Sequence, residues 1–282
     1  MSREYHCLVA GLPELFFNND KINFTFPDFK NQLREVLHFK DFRLIESFFW
    51  RYDNINVLKL LKNPESGINE LGNLSKEDFD EIFSLVKDDA LYSFEREIPG
   101  YFGKFIHAYK NELPLFRGKD WENQITQLYY KYLSGLDNQY IRNWFEFEMN
   151  LTNIITAYNC KKHQLTVENE LIGNNEITEK LIKSNARDFG ISVEFPKLES
   201  IINALEENNL VEREKKIDII KWELLNDWTF FHYFTTEKIF SYTLQIEIII
   251  RWLRLDKETG QELFNNLLSN LEKSYEFSKE FI

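Results

Sequence analysis

Apolar residues recur three and four positions apart along most of the chain, the spacing that gathers them on one face of an α-helix. Phe29, Leu33, Val36 and Leu37 follow Pro27, a residue favoured in a first helical turn. Leu44, Ile45, Phe48, Phe49 and Tyr52 make the next stripe, with Asp41 as its expected N-cap. Ser75 and Asp78 read as an N-cap with an acid three residues on, ahead of Phe79, Ile82, Phe83 and Val86. Pro99 opens a helix carrying Phe102, Phe105, Ile106 and Tyr109, and Trp121, Ile125, Leu128, Tyr129 and Tyr132 give another. Asp137 is the expected cap of a long helix through Tyr140, Trp144, Leu151, Ile154, Ile155 and Tyr158. Pro196 opens the stripe Leu198, Ile201, Ile202 and Leu205, and Ile217, Ile220, Leu224 and Leu225 continue the series. Two helices, Thr236 to Leu255 and Thr259 to Phe281, are expected to finish the chain. Strand-like alternation is confined to Gln164–Val167 and Ile191–Phe195, each short enough to be a loop. The pattern predicts an all-α fold over a single helical domain, residues 1–282.

Three segments share an aromatic, an acid, then apolar residues mixed with Asn or Arg. They are Phe49 to Leu58, Trp144 to Leu151 and Tyr242 to Arg254. Their acids, Asp53, Glu148 and Glu247, lie 95 and 99 residues apart. A near-constant period is how repeated lobes announce themselves, which gives lobes at 1–98, 99–195 and 196–282. Chance likeness among amphipathic helices is the alternative. An acid inside an apolar helix needs a partner or a polar cavity. Asp53, Asn56, Glu148, Asn150, Glu247 and Arg251 are therefore the candidates for structural anchoring or partner contact.

Gly 10 and Pro 6 are few for 282 residues, which argues against turn-rich β folds and glycine-rich nucleotide folds. Aromatic residues are 16% of the chain, too many for a disordered segment. The formal net charge is −12, and no run of five or more basic residues offsets it, so neither nucleic acid nor direct lipid binding is expected. The short clusters Lys161-Lys162-His163 and Lys215-Lys216 read as solvated helix ends. Cys7 and Cys160 suit a reducing cytosol rather than a disulfide framework. The amino terminus does not read as a signal peptide, and the greasiest run, Tyr242 to Leu255, is interrupted by Glu247, Arg251 and Arg254.

Reactive constellations are scarce. The five histidines form no i, i+3 or i, i+4 pair and join no zinc spacing. Gly100-Tyr101-Phe102-Gly103-Lys104 lacks the separation and the Ser/Thr of a phosphate loop, and there is no nucleophile elbow. Asp88-Asp89 with Glu95 lacks the repeated aspartates of an acidic metal cluster. Glu146 and Glu148 diverge on a helix. No catalytic residue, cofactor or metal is expected. The aromatic clusters Phe48–Tyr52 and Trp228–Phe234 read as core, or else as the lining of a groove or interface.

The opening Tyr5-His6-Cys7-Leu8-Val9-Ala10-Gly11-Leu12-Pro13 resembles a bacteroidete family whose genes lie among those of a V-type (archaeal-type) ATPase, at the place expected for its C-type subunit. The resemblance runs through Asp53-Asn54-Ile55-Asn56-Val57-Leu58 to the last helical segment. The C-type subunit, known as the d-type in the eukaryotic enzyme, is an all-helical protein of three similar lobes. Its lobes carry an aromatic–acid–Asn helix followed by basic residues, and Trp144 to Ile155 with Lys161-Lys162, and Tyr242 to Leu255, are similar. The sequence departs from that pattern at Ile250, which stands where Asn is usual, and at Asn150, one residue out of register with Glu148. The resemblance implies a funnel-like, non-catalytic coupling subunit of proton or sodium transport and ATP synthesis, which links the rotor shaft to the membrane rotor ring. It implies a cytoplasmic site, peripheral to the inner membrane through those two partners. The alternative is a helical enzyme or ligand-binding protein with an aromatic, carboxylate-lined cavity for a small polar substrate.

Overall fold

Sequence periodicity becomes helix almost everywhere it is strong. The structure, a computed structural model, describes residues 3–255 apart from Asp20, Asp88, Asp89 and Arg96. Among the described residues there are eleven α-helices, one short 3-10 turn at Leu91–Ser93, and no strand. In order they are α1 (His6–Gly11), α2 (Phe26–Val36), α3 (Phe39–Lys62), α4 (Lys76–Lys87), α5 (Tyr101–Lys110), α6 (Trp121–Leu133), α7 (Gln139–Lys162), α8 (Glu176–Lys183), α9 (Leu198–Leu205), α10 (Leu210–Thr229) and α11 (Thr236–Arg254). The helix expected at Thr259 to Phe281, and the pair Asp88-Asp89, lie outside the described residues.

Local chemistry sets the boundaries. Thr25 accepts from the Asp28 N–H and Pro27 sits in the first turn of α2. The α3 cap is His38, whose ring accepts from the Lys40 N–H. Asp41 lies inside the first turn and instead accepts from the Tyr5 hydroxyl at 2.5 Å. Asn138, not Asp137, caps α7, because its side chain reaches the Ile141 N–H. Neither extended piece is a strand. Gln164 takes φ 56 just beyond α7, the Leu165 N–H returns to the Cys160 carbonyl at 2.8 Å and the Gln164 N–H to that of Lys161, a left-handed helix end. Ile191 to Phe195 closes on itself through Phe195 N–H to Ile191 carbonyl, 2.9 Å.

The apolar interior falls into two clusters. The larger gathers α2–α6, the first half of α7, the second half of α10 and α11, with Phe48, Phe49, Phe102, Phe105, Trp144 and Phe240 wholly enclosed. The smaller is built by the second half of α7 with α8, α9 and the first half of α10. Each buried aromatic ring stabilises by about 2–3 kcal/mol. Most of the aromatic load is therefore core. Phe230, Phe231 and Tyr233, in the α10–α11 turn, remain exposed. Only α7 and α10 pass through both clusters, so the junction between them is where two long helices must agree. No helix among the described residues is long and apolar enough to cross a membrane.

Candidate functional site

The helix α3 and the helix α7 are each 24 residues long, and α7 starts 100 residues after α3. The next helices, α4 and α8, also start 100 residues apart, at Lys76 and Glu176. Both second helices open with a reciprocal capping box. Ser75 N–H donates to Asp78 Oδ2 (2.8 Å) and Asp78 N–H to Ser75 Oγ (3.1 Å). Asn175 N–H donates to Thr178 Oγ1 (2.8 Å) and Thr178 N–H to Asn175 Oδ1 (2.9 Å). Such a box satisfies two of the donors a helix start leaves bare.

Each long helix holds its following loop by one buried side chain at the same position. In the first unit, both oxygens of Asp53 accept backbone N–H groups, from Asn73 at 2.7 Å and Leu74 at 3.1 Å. Lys30 reaches in from α2 and donates to the carbonyls of Leu71 (3.2 Å) and Gly72 (2.5 Å). Burial pushes the Asp53 carboxyl up to about 7, against the pull of the two N–H groups and of Lys30. In the second unit, Asn153 accepts from the Ile172 N–H at 2.8 Å and donates to the Ile172 carbonyl at 2.7 Å. Asn56 repeats that two-way bond one helical turn on from Asp53, with Asn69 at 2.7 and 3.0 Å. Gly72 is required here, since a Cβ would press into Asp53 Oδ1 and approach Asn56 Nδ2 at 3.1 Å.

The two units meet at an ionic seam. Arg51 of α3 grips Glu148 of α7 with two bonds, 3.2 and 2.7 Å, while its guanidinium lies 4.2 Å from the Phe48 ring centre. Burial pushes the Glu148 carboxyl up, but Arg51 and then Lys221 outweigh it and hold the group below its ordinary value. Glu247 on α11 is half-buried beside them. Burial pushes it above its ordinary value, opposed by Arg51, Lys221 and Arg251. Farther along, Arg251 and the Trp252 indole (2.9 Å) both donate to Asp218 of α10, which is 1% exposed. Glu148 stands between Phe145 of the larger core and Leu151 of the smaller, and Lys221 between Ile220 and Trp222. Charge thus occupies the junction that neither core fills.

The sequence candidates separate into these two arrangements. Glu148, Glu247 and Arg251 belong to the seam, whereas Asp53 and Asn56 hold the first loop. Asn150 accepts from Asn175 Nδ2 at 2.9 Å and ties α7 to the start of α8. Asp53, Glu148 and Glu247 do not occupy matching positions. Helix register sets Asp53 against Asn153 and Glu148 against Phe48, and α11, starting 97 residues after α7, sets Glu247 against Asn150. Asn153 is hidden in the sequence because an amide stands where an acid is the expected anchor. Arg51, Asp218 and Lys221 carry one weak signal, a charge inside an apolar stripe.

No group of three or more His, Cys, Asp or Glu among the described residues is placed to hold a metal ion. Among the described residues the fold is all-helical, with two helix–loop–helix units whose helices start 100 residues apart and which the Arg51–Glu148 pair links. A family model described as "Protein of unknown function (DUF2764)" matches residues 1–275, and the chain belongs to that family. No curated protein and no solved structure matches it.

Proposed function

We propose that the chain is a non-catalytic coupling subunit of a V/A-type ATPase, seated between the central shaft and the membrane rotor ring. The observation that carries this reading is the duplicated helix–loop–helix unit in an all-helical body, because the resemblance to the C-type subunit implies similar helical lobes. A body that passes torque must resist shear. The α7 and α10 helices run unbroken through both cores, and the Arg51–Glu148 pair crosses between the units. Membrane attachment then comes through protein partners, since a net charge of −12 gains nothing from anionic lipid.

The second reading, an enzyme or ligand-binding protein with an aromatic, carboxylate-lined cavity for a small polar substrate, is favoured by one cleft. A cleft of about 440 Å³ is lined by the Phe147, Phe195 and Trp228 rings with Glu146 and Glu194. Glu194 is already bound by Lys180 at 2.5 Å, which holds its carboxyl below the ordinary value and makes it a poor general acid.

The test is to mix the purified shaft subunit of the same organism's V-type ATPase with the chain and follow mass by light scattering across a salt series. A complex at low salt that weakens as exposed charges are screened is expected. Two folded proteins that stay apart at low salt would overturn the proposal.

A further inference from the structure

Two lysines and an arginine line a cleft of about 360 Å³ between α3 and α6. Its α3 wall is one helical stripe, Arg51, Asn54, Ile55, Leu58, Lys59 and Lys62. Its α6 wall presents Glu122, Ile125, Thr126, Tyr129 and Tyr130. The volume lies within the roughly 300–1,000 Å³ of small-molecule sites.

Three observations give the cleft its chemistry. Lys59 and Lys62 are exposed, and neither has an acid within ion-pair distance among the described residues. Three residues apart on a helix, they are offset by about 4.5 Å along its axis, so both ammonium groups can serve one anionic ligand. Asn54 is 6% exposed and lines the cleft. Its Oδ1 accepts from the Tyr101 hydroxyl at 2.8 Å, while its amide nitrogen makes no hydrogen bond to the described protein. That nitrogen is not enclosed by protein, so it is open to an acceptor entering the cleft. Arg51 closes the inner end, and Glu122 is the one acid among the lining residues. Ile55, Leu58 and Ile125 supply an apolar floor.

We infer that the α3–α6 cleft binds a phosphorylated small molecule, with Lys59, Lys62 and Asn54 holding two adjoining phosphoryl groups and the apolar floor receiving its body. This is a binding site without a reaction, and it does not depend on the coupling reading. Exposed lysines at a helix C-terminus also complement the helix dipole, but that role does not draw on the Asn54 amide at the cleft wall.

Isothermal titration of the full chain with ADP and with pyrophosphate, at matched ionic strength, tests it. Saturable binding of both is expected, ADP the tighter. Lys59→Glu with Lys62→Glu should weaken it by about tenfold or more, the factor that 1.4 kcal/mol represents. Both positions are exposed, so the fold should survive with a melt lowered only modestly by two acids at a helix C-terminus, and Lys104→Glu with Lys131→Glu should leave affinity as it was. The inference fails if millimolar ADP and pyrophosphate give no binding, or if the paired reversal binds as well as the native chain. It also fails if only vesicles of phosphorylated lipid are bound, since the ligand would then be a membrane surface.

Discussion

At the middle of α3 a carboxylate, Asp53, meets a loop that turns two N–H groups towards it. At the middle of α7 an amide, Asn153, meets a loop that turns one N–H and one C=O. The helices have the same length, the capping boxes stand at the same distance, and the anchoring side chain occupies the same position. What differs is the polarity of the returning backbone, and the side chain follows it. An acceptor-only group suits two donors, and a donor–acceptor group suits one of each. The two units thus share a geometry while their residue identities differ.

Exchanging the two anchors breaks the comparison most sharply. In Asn153→Asp the new carboxylate faces the Ile172 carbonyl in a fully buried site with one donor instead of two. A loss of about 3 kcal/mol or more is expected in urea unfolding. Asp53→Asn turns an NH₂ group towards a backbone N–H and leaves that donor without an acceptor, which should cost about 2 kcal/mol. Equal and negligible losses in the two variants would show that loop polarity does not choose the anchor.

The two carboxylates also give opposite pH slopes. Asp53 holds its proton more tightly folded than unfolded. Its contribution therefore weakens as pH rises from the ordinary carboxylate range to about 7. Glu148 is held below its ordinary value, so its contribution is full above that value and is lost as pH falls through it. Glu148→Gln, which removes the link between the units, is expected to cost about 2 kcal/mol at neutral pH. It should also flatten the acid limb of stability against pH, whereas Asp53→Asn flattens the limb between about 4 and 7. An unchanged profile in Glu148→Gln would remove the ionic seam from the account.

The smallest effects sharpen the likeness. Ser75→Ala and Asn175→Ala each remove one capping partner and should cost about 1 kcal/mol, and the second also loses the bond to Asn150. A loss from only one of them would mean the two boxes are not equivalent.

Helix content is legible in the sequence because apolar periodicity survives any change in residue identity. The box at Ser75 and Asp78 is legible as well, since its acid is a familiar N3 residue. Its counterpart is hidden, because Asn175 and Thr178 do the same work with different atoms. A period counted on acids gives 95 and 99 residues. The helix starts give 100, because the true partner of Asp53 is an amide. The seam is hidden for another reason. Arg51, Lys221 and Asp218 come from two helices far apart in sequence, and only packing brings them to Glu148 and Arg251.

Under the proposed function this helical body couples shaft to ring. That coupling is tested most directly by preparing membranes from cells with and without the gene and measuring ATP hydrolysis and ion uptake together. The expected result is that the chain purifies with the V-type ATPase. Its loss should leave hydrolysis by the soluble head while abolishing ATP-driven ion uptake, and restoring the native chain should recover it. Full ATP-driven uptake by an ATPase that never contained the chain would contradict the account.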